Sequence, residues 1–289
     1  MNESHVLELR DGRDLGWRER GESEGLPVVA LHGTPGSRRS IVSDERDFPG
    51  VRLICVDRPG YELSTFHPGH SLRDSARDLA ELCDHLAVGE FYVLGHSGGG
   101  PHALACAAVL GERVRAVATL GGLAPLDGPA WGALTKTDQR VMTIARERPL
   151  AARVVAEAQM IAFRARPSWA LALLARQSPA PDAALLARSD VRAMYLKSAA
   201  AASRSTGRAL AQDMALLASP WGFDLAEVAA PVDLWHGDLD RSVAPEHSRI
   251  LKGGLARSTL YALADAGHLF IYDQLGEVIE ALVAPRERG

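Results

Sequence analysis

Gly95-His96-Ser97-Gly98-Gly99 sets one hydroxyl in a frame of very small residues. A serine hydroxyl is a weak nucleophile until it is fixed, exposed and placed beside a base. Glycines two residues to either side of Ser97 allow a sharp, strained turn that carries the hydroxyl at its tip. The apolar run Phe91–Leu94 precedes the motif and a helical pattern from about Pro101 follows it, so the turn joins a strand to a helix. The amino end of that helix favours negative charge developing on a substrate above it.

A nucleophile of this kind needs a base, and the base needs an acid to orient it. In a strand–turn–helix setting the acid and then the histidine follow the serine along the chain. Asp240, in Trp235-His236-Gly237-Asp238-Leu239-Asp240, stands beyond the apolar run Val232–His236. His268, in Ala266-Gly267-His268, stands beyond Thr259–Leu263 and before the last helical pattern. The pattern assigns Ser97 as nucleophile, His268 as base and Asp240 as orienting acid. Asp238, directly after Gly237, is expected to hold the turn by accepting backbone amides.

Acyl transfer also needs donors for an oxyanion, each worth about 3–4 kcal/mol. The loop His32-Gly33-Thr34-Pro35-Gly36 follows the strand Val28–Leu31 and can aim a backbone N–H at the serine, so the donors expected are the amides of Thr34 and Gly98. The same loop lacks a phosphate-binding spacing and has no nearby lysine. His32 is read as a brace for this loop or a substrate contact. Trp131 and Trp169 are the aromatic candidates for a pocket wall, although tryptophans more often pack helices. His96 and His102 are read as packing groups. His67, His70 and His247 lack a metal-ligand pattern, and the chemistry requires no metal or cofactor.

Short apolar runs at Val28–Leu31, Leu53–Val56, Phe91–Leu94, Val114–Leu120, Val232–His236 and Thr259–Leu263 suit strands covered on both faces, the condition of a parallel sheet. Ser71 and Asp74 cap a helix whose apolar positions are Leu72, Ala76, Leu79, Cys83 and Leu86. A closing helix presents Ile271, Leu275, Val278 and Leu282. Between about Pro125 and Pro220 helical segments follow one another with no strand, divided by Pro149, Pro167 and Pro179. The expected organisation is an α/β core of residues 1–124 and 221–289 with a helical insertion at 125–220.

The chain has 289 residues, 47% of them hydrophobic, and a net charge of −4. It carries no basic run of the kind a nucleic-acid backbone needs. Its first residues lack the apolar stretch of a secretory signal, and arginines interrupt the alanine-rich segments too often for a spanning helix. The expectation is a cytoplasmic protein acting on a small molecule, without nucleic-acid or membrane partners. Cys55, Cys83 and Cys106 each sit in apolar segments, as reduced core residues do.

Taken together, the His32-Gly33-Thr34-Pro35 loop, Asp57-Arg58-Pro59-Gly60-Tyr61, the serine motif, His236–Asp240 and Gly267-His268 resemble the α/β-hydrolase superfamily over nearly the whole chain. The resemblance implies an eight-stranded, mostly parallel sheet with a helical cap between strands six and seven. Glu62 departs from the pattern, because many relatives have glycine there. What the resemblance implies about activity is hydrolysis of an ester, lactone, thioester or amide through an acyl-enzyme at Ser97. The alternatives are an acyl transferase, cyclase or lyase on the same residues, or a ligand receptor derived from a hydrolase.

Overall fold

The computed structural model describes residues 4–42, 48–202 and 207–286; the parts of the expected core and insertion at 1–3, 43–47, 203–206 and 287–289 lie outside it. Eight strands form one sheet: β1 (Ser4–Glu8), β2 (Asp14–Gly21), β3 (Leu26–Leu31), β4 (Val51–Val56), β5 (Phe91–His96), β6 (Val114–Leu120), β7 (Val232–Gly237) and β8 (Ser258–Leu263). Their order is β1-β2-β4-β3-β5-β6-β7-β8. Pairing is parallel from β4 to β8, and only β2 runs against its neighbours.

Strand alternation explains why the central runs are apolar throughout. Val29, Leu31, Ile54, Val56 and Val93 face helices α1 (Leu72–His85) and α2 (Gly99–Leu110). Val28, Ala30, Leu53, Cys55 and Leu94 face the opposite way, against α11 (Ile271–Val283). Each buried Val, Leu or Ile contributes roughly 1.5–3 kcal/mol, so both layers hold the sheet. Helix α1 starts where the sequence predicts, with a complete capping box between Ser71 and Asp74. In α11, Ile271, Leu275, Val278 and Leu282 are all buried.

The parallel register sets strand ends side by side. Leu31 pairs with Gly95, His96 with Leu120, Leu120 with Trp235, and Gly237 with Leu263. The loops leaving those ends therefore meet along one edge of the sheet, where ligands of open parallel sheets bind.

Between β6 and β7 the described residues form helices α3 (Gly128–Ala133), α4 (Lys136–Glu147), α5 (Pro149–Ala165), α6 (Pro167–Gln177), α7 (Ala180–Ala187), α8 (Ser189–Ala202) and α9 (Gly207–Leu217). Proline opens α5 and α6 and caps α7, where its missing N–H costs nothing. Helix α10 (Glu246–Gly254) follows β7. Among the described residues no helix is long and apolar enough to cross a membrane.

Candidate active site

Ser97 sits between the end of β5 and the start of α2 with φ +53°, a left-handed conformation that costs a non-glycine residue about 1–2 kcal/mol. Two backbone bonds hold it there: Ser97 N–H donates to Leu120 O at 2.8 Å and Gly100 N–H to Ser97 O at 2.9 Å. The flanking glycines are a matter of space. A Cβ on Gly95 would lie 2.3 Å from Gly99 O, and one on Gly99 would lie 2.4 Å from Leu31 O.

His268 begins a short 3-10 turn beyond β8, and its Nδ1 lies 2.7 Å from Asp240 Oδ2. The other oxygen of Asp240 accepts the N–H groups of Ser242 (2.8 Å) and Val243 (2.9 Å). His236 Nε2 is 3.3 Å from Oδ2. Burial alone would raise the Asp240 carboxyl, but His268 and these donors hold it below the usual carboxylate range. Burial pulls His268 down, yet Asp240 outweighs it and the imidazole lies above its ordinary value. Asp238 is exposed and its side chain bonds to none of the described residues, so the turn-holding expected of Asp238 falls to Asp240 instead. Ser97 and His268 line one pocket, and no hydrogen bond joins the serine hydroxyl to the ring. Such bonds commonly tighten only with substrate bound.

Thr34 approaches the serine turn closely: a Cβ on Gly98 would lie 2.3 Å from Thr34 Oγ1. Among the described residues, no partner takes the N–H of either Thr34 or Gly98. What fixes the loop is a buried ion pair that sequence reasoning missed. Arg58 Nη2 donates to Gly33 O and Thr34 Oγ1, each at 2.8 Å, while Nη1 donates to Asp213 on α9. Asp213 also accepts Thr34 Oγ1–H (2.6 Å) and the Tyr61 hydroxyl (3.1 Å). Burial would push its carboxyl up, but the Arg58 charge, His102 and the Thr34 hydroxyl hold it far below the carboxylate range. Arg58 and Tyr61 stand in a recognisable motif; nothing local marks Asp213.

His32 is fully buried, donating from Nδ1 to Gly33 O (2.8 Å) and accepting Arg58 N–H at Nε2 (3.1 Å). It is a brace, and the substrate contact expected of it is not available. The two tryptophan assignments are also corrected. Trp131 lines a separate surface groove under Arg146, and Trp169 is 58% exposed on α6 and lines no part of the serine pocket. The pocket, about 320 Å³, has an apolar wall of Leu123, Met142, Met160, Phe163 and Leu217. Ser40, Asp138, Ser178, Asp182, Tyr195, Ser198 and Tyr272 also line it. Glu62 keeps the turn expected of a glycine, at φ +43°, with its carboxylate 2.8 Å from Arg38.

His67, His70 and Asp74 could geometrically surround a cation. Their lone pairs are committed. Arg58 can only donate, so His102 Nε2 accepts from it at 3.0 Å and His102 Nδ1–H donates to Ser75 Oγ at 2.6 Å. The Ser75 proton then goes to His70 Nε2 (2.8 Å), which leaves His70 protonated on the nitrogen facing His67. Asp74 is held by Ser71 and Arg77. This donor set does not fit a metal.

A family model described as alpha/beta hydrolase fold matches residues 27–275. The proline iminopeptidase of Neisseria gonorrhoeae is 31% identical over 126 residues, which cover 41% of this chain and 39% of that protein. The match thus spans about two fifths of that relative's length. Among solved structures, the esterase RhEst1 from Rhodococcus sp. ECU1013 has a TM-score of 0.66 at 23% identity, covering 96% of this chain and 95% of its own. An enol-lactonase from Burkholderia xenovorans LB400 has a TM-score of 0.69 at 18% identity, over 97% and 100%. At these identities the likeness is one of fold.

Proposed function

The chain belongs to the alpha/beta hydrolase family, and on that premise we propose that it cleaves a carboxylic ester of a small, largely apolar molecule through an acyl-enzyme at Ser97. The observation that carries this reading is that His268, paired with Asp240, lines the same pocket as a serine held on a strained turn.

Asp240 keeps the His268 proton on Nδ1, so Nε2 presents a lone pair toward the pocket. The neutral ring takes the Ser97 proton as Oγ attacks the acyl carbon, and the carbonyl oxygen becomes an oxyanion facing the N–H groups of Thr34 and Gly98. The imidazolium returns its proton to the departing alcohol as the C–O bond breaks. Water then gives a proton to His268 and its oxygen to the acyl carbon, and the same proton restores Ser97 as the acid leaves. Helices α3–α9 act as a cap, with Met142, Met160 and Phe163 accommodating the apolar part of the substrate.

A panel of esters, lactones, thioesters and prolyl amides, run with a Ser97→Ala control, tests the reading. The prolyl amides enter because one relative is a proline iminopeptidase. Ester turnover that Ser97→Ala abolishes is the expected result. Turnover that survives the substitution, or is confined to amides, overturns it. Repeating the panel with an added alcohol or amine shows whether water or another acceptor completes the cycle.

A further inference from the structure

We propose that Asp182, brought in by helix α7, is a positioning residue that holds the His268 turn and places a second carboxylate beside the imidazole. The proposal rests on His268 being the base.

Asp182 is buried, and its two oxygens take two consecutive backbone N–H groups. Oδ2 accepts from His268 and Oδ1 from Leu269, both at 2.9 Å. These are the opening N–H groups of the 3-10 turn His268–Phe270, which a side chain at the preceding position usually caps. That position is Gly267, which has no side chain to offer. Space accounts for the glycine: a Cβ there would lie 2.2 Å from Asp182 Oδ1. The turn has given up a local cap and receives one from 86 residues away. Leu171, Leu185, Leu186 and Val191 pack with Leu269 and seat α6–α8 against the turn.

Several titratable groups surround the His268 ring. Asp240 bonds Nδ1, with His236 and His247 behind it. His96, 4.9 Å away between ring centroids, is driven down to about 3 by burial and by His268, and so is neutral. Tyr195, pushed up to about 12 by burial, and Tyr272, also pushed up by burial, face the pocket uncharged. Asp138 on α4 also lines the pocket and accepts the Thr135 hydroxyl at 2.6 Å; Asp240 and Asp182 are the two anions that act on the imidazolium. Burial raises its carboxyl, while the two N–H donors and His268 pull the other way.

Asp182→Asn keeps the volume, removes the charge and turns an NH₂ toward one of the two N–H groups. Without this anion the imidazolium is less favoured, so the His268 pKa falls. The acid limb of kcat/KM should move to lower pH by roughly one unit. Turnover on a small acetate ester should fall about tenfold to a hundredfold, with KM changed less than threefold. Asp182→Ser, smaller and also neutral, serves as a second variant. A contact that only supported folding would lower the melting temperature and leave the limb in place. An unmoved limb in folded variants, or failure of both variants to fold, overturns the proposal. His268→Ala separates the two levels: wild-type activity in that variant removes the base assignment itself, whatever Asp182 does.

Discussion

Replacing Asp240 by asparagine has a consequence that the hydrogen bonds around it dictate. Oδ1 accepts two backbone N–H groups, from Ser242 and Val243, and Oδ2 faces His268 Nδ1. An asparagine must turn its carbonyl oxygen to the two N–H donors, because an NH₂ there would leave both unpaired. The NH₂ then points at His268 and donates to Nδ1. The ring must carry its proton on Nε2, the nitrogen that has to accept from Ser97. Wrong-tautomer losses of this kind in a serine-protease triad are about 10⁴-fold. At 1.36 kcal/mol per decade that is about 5 kcal/mol of transition-state stabilisation. Two further effects follow. The anion that raises the His268 pKa is gone while burial remains, so the acid limb of residual activity moves to lower pH. The Asp240 carboxyl is depressed in the fold, so its stabilisation is present above the unfolded value near 4 and is lost as pH falls below it. The melting-temperature gap between Asp240→Asn and wild type should therefore be open at pH 7 and narrow in acid. Steady-state kinetics on an activated ester from pH 5 to 9, with thermal melts at pH 7 and pH 3, measure all three. A loss under tenfold, or an unmoved limb, would refute the tautomer argument.

The remaining predictions are simpler. A fluorophosphonate probe should label Ser97 alone, as read by intact mass and peptide mapping; labelling elsewhere removes the nucleophile assignment. Asp238→Asn should leave turnover within twofold and stability within about 0.5 kcal/mol, since the side chain is exposed. Glu62→Gly should be more stable than Glu62→Ala by about 1 kcal/mol, because only glycine relieves the left-handed backbone at φ +43° while both lose the Arg38 pair. Phe163→Ala should change the ranking of acyl chain lengths, whereas Trp169→Ala should not, because only Phe163 lines the pocket.

The serine turn was legible because its requirements are local: the glycines that make room for it lie within two residues, between a strand and a helix with clear patterns. Asp240 and His268 were legible because the parallel topology puts each just after a strand. The hairpin of β1 and β2 was not read as strands. Asp14–Gly21 alternates poorly and carries Arg18, Glu19 and Arg20, the composition of a strand near the sheet edge. The Asp11-Gly12 pair was the turn signal that could have revealed it. Asp182 and Asp213 left no sequence signal, since each acts on a loop far along the chain. The tryptophans misled because residue type says nothing about which helix face turns inward, and Trp169 turns outward.

Asp213 also limits how this protein can be recombined. It stands on α9, in the segment that a designer of chimeras would exchange as a cassette to install a new specificity. Yet its carboxylate neutralises Arg58, which grips the loop bearing Thr34. A donor segment without an acid at the equivalent position of its last helix would leave a buried guanidinium unpaired, a defect of about 3–5 kcal/mol. A graft boundary that keeps this ion pair intact therefore falls before α9.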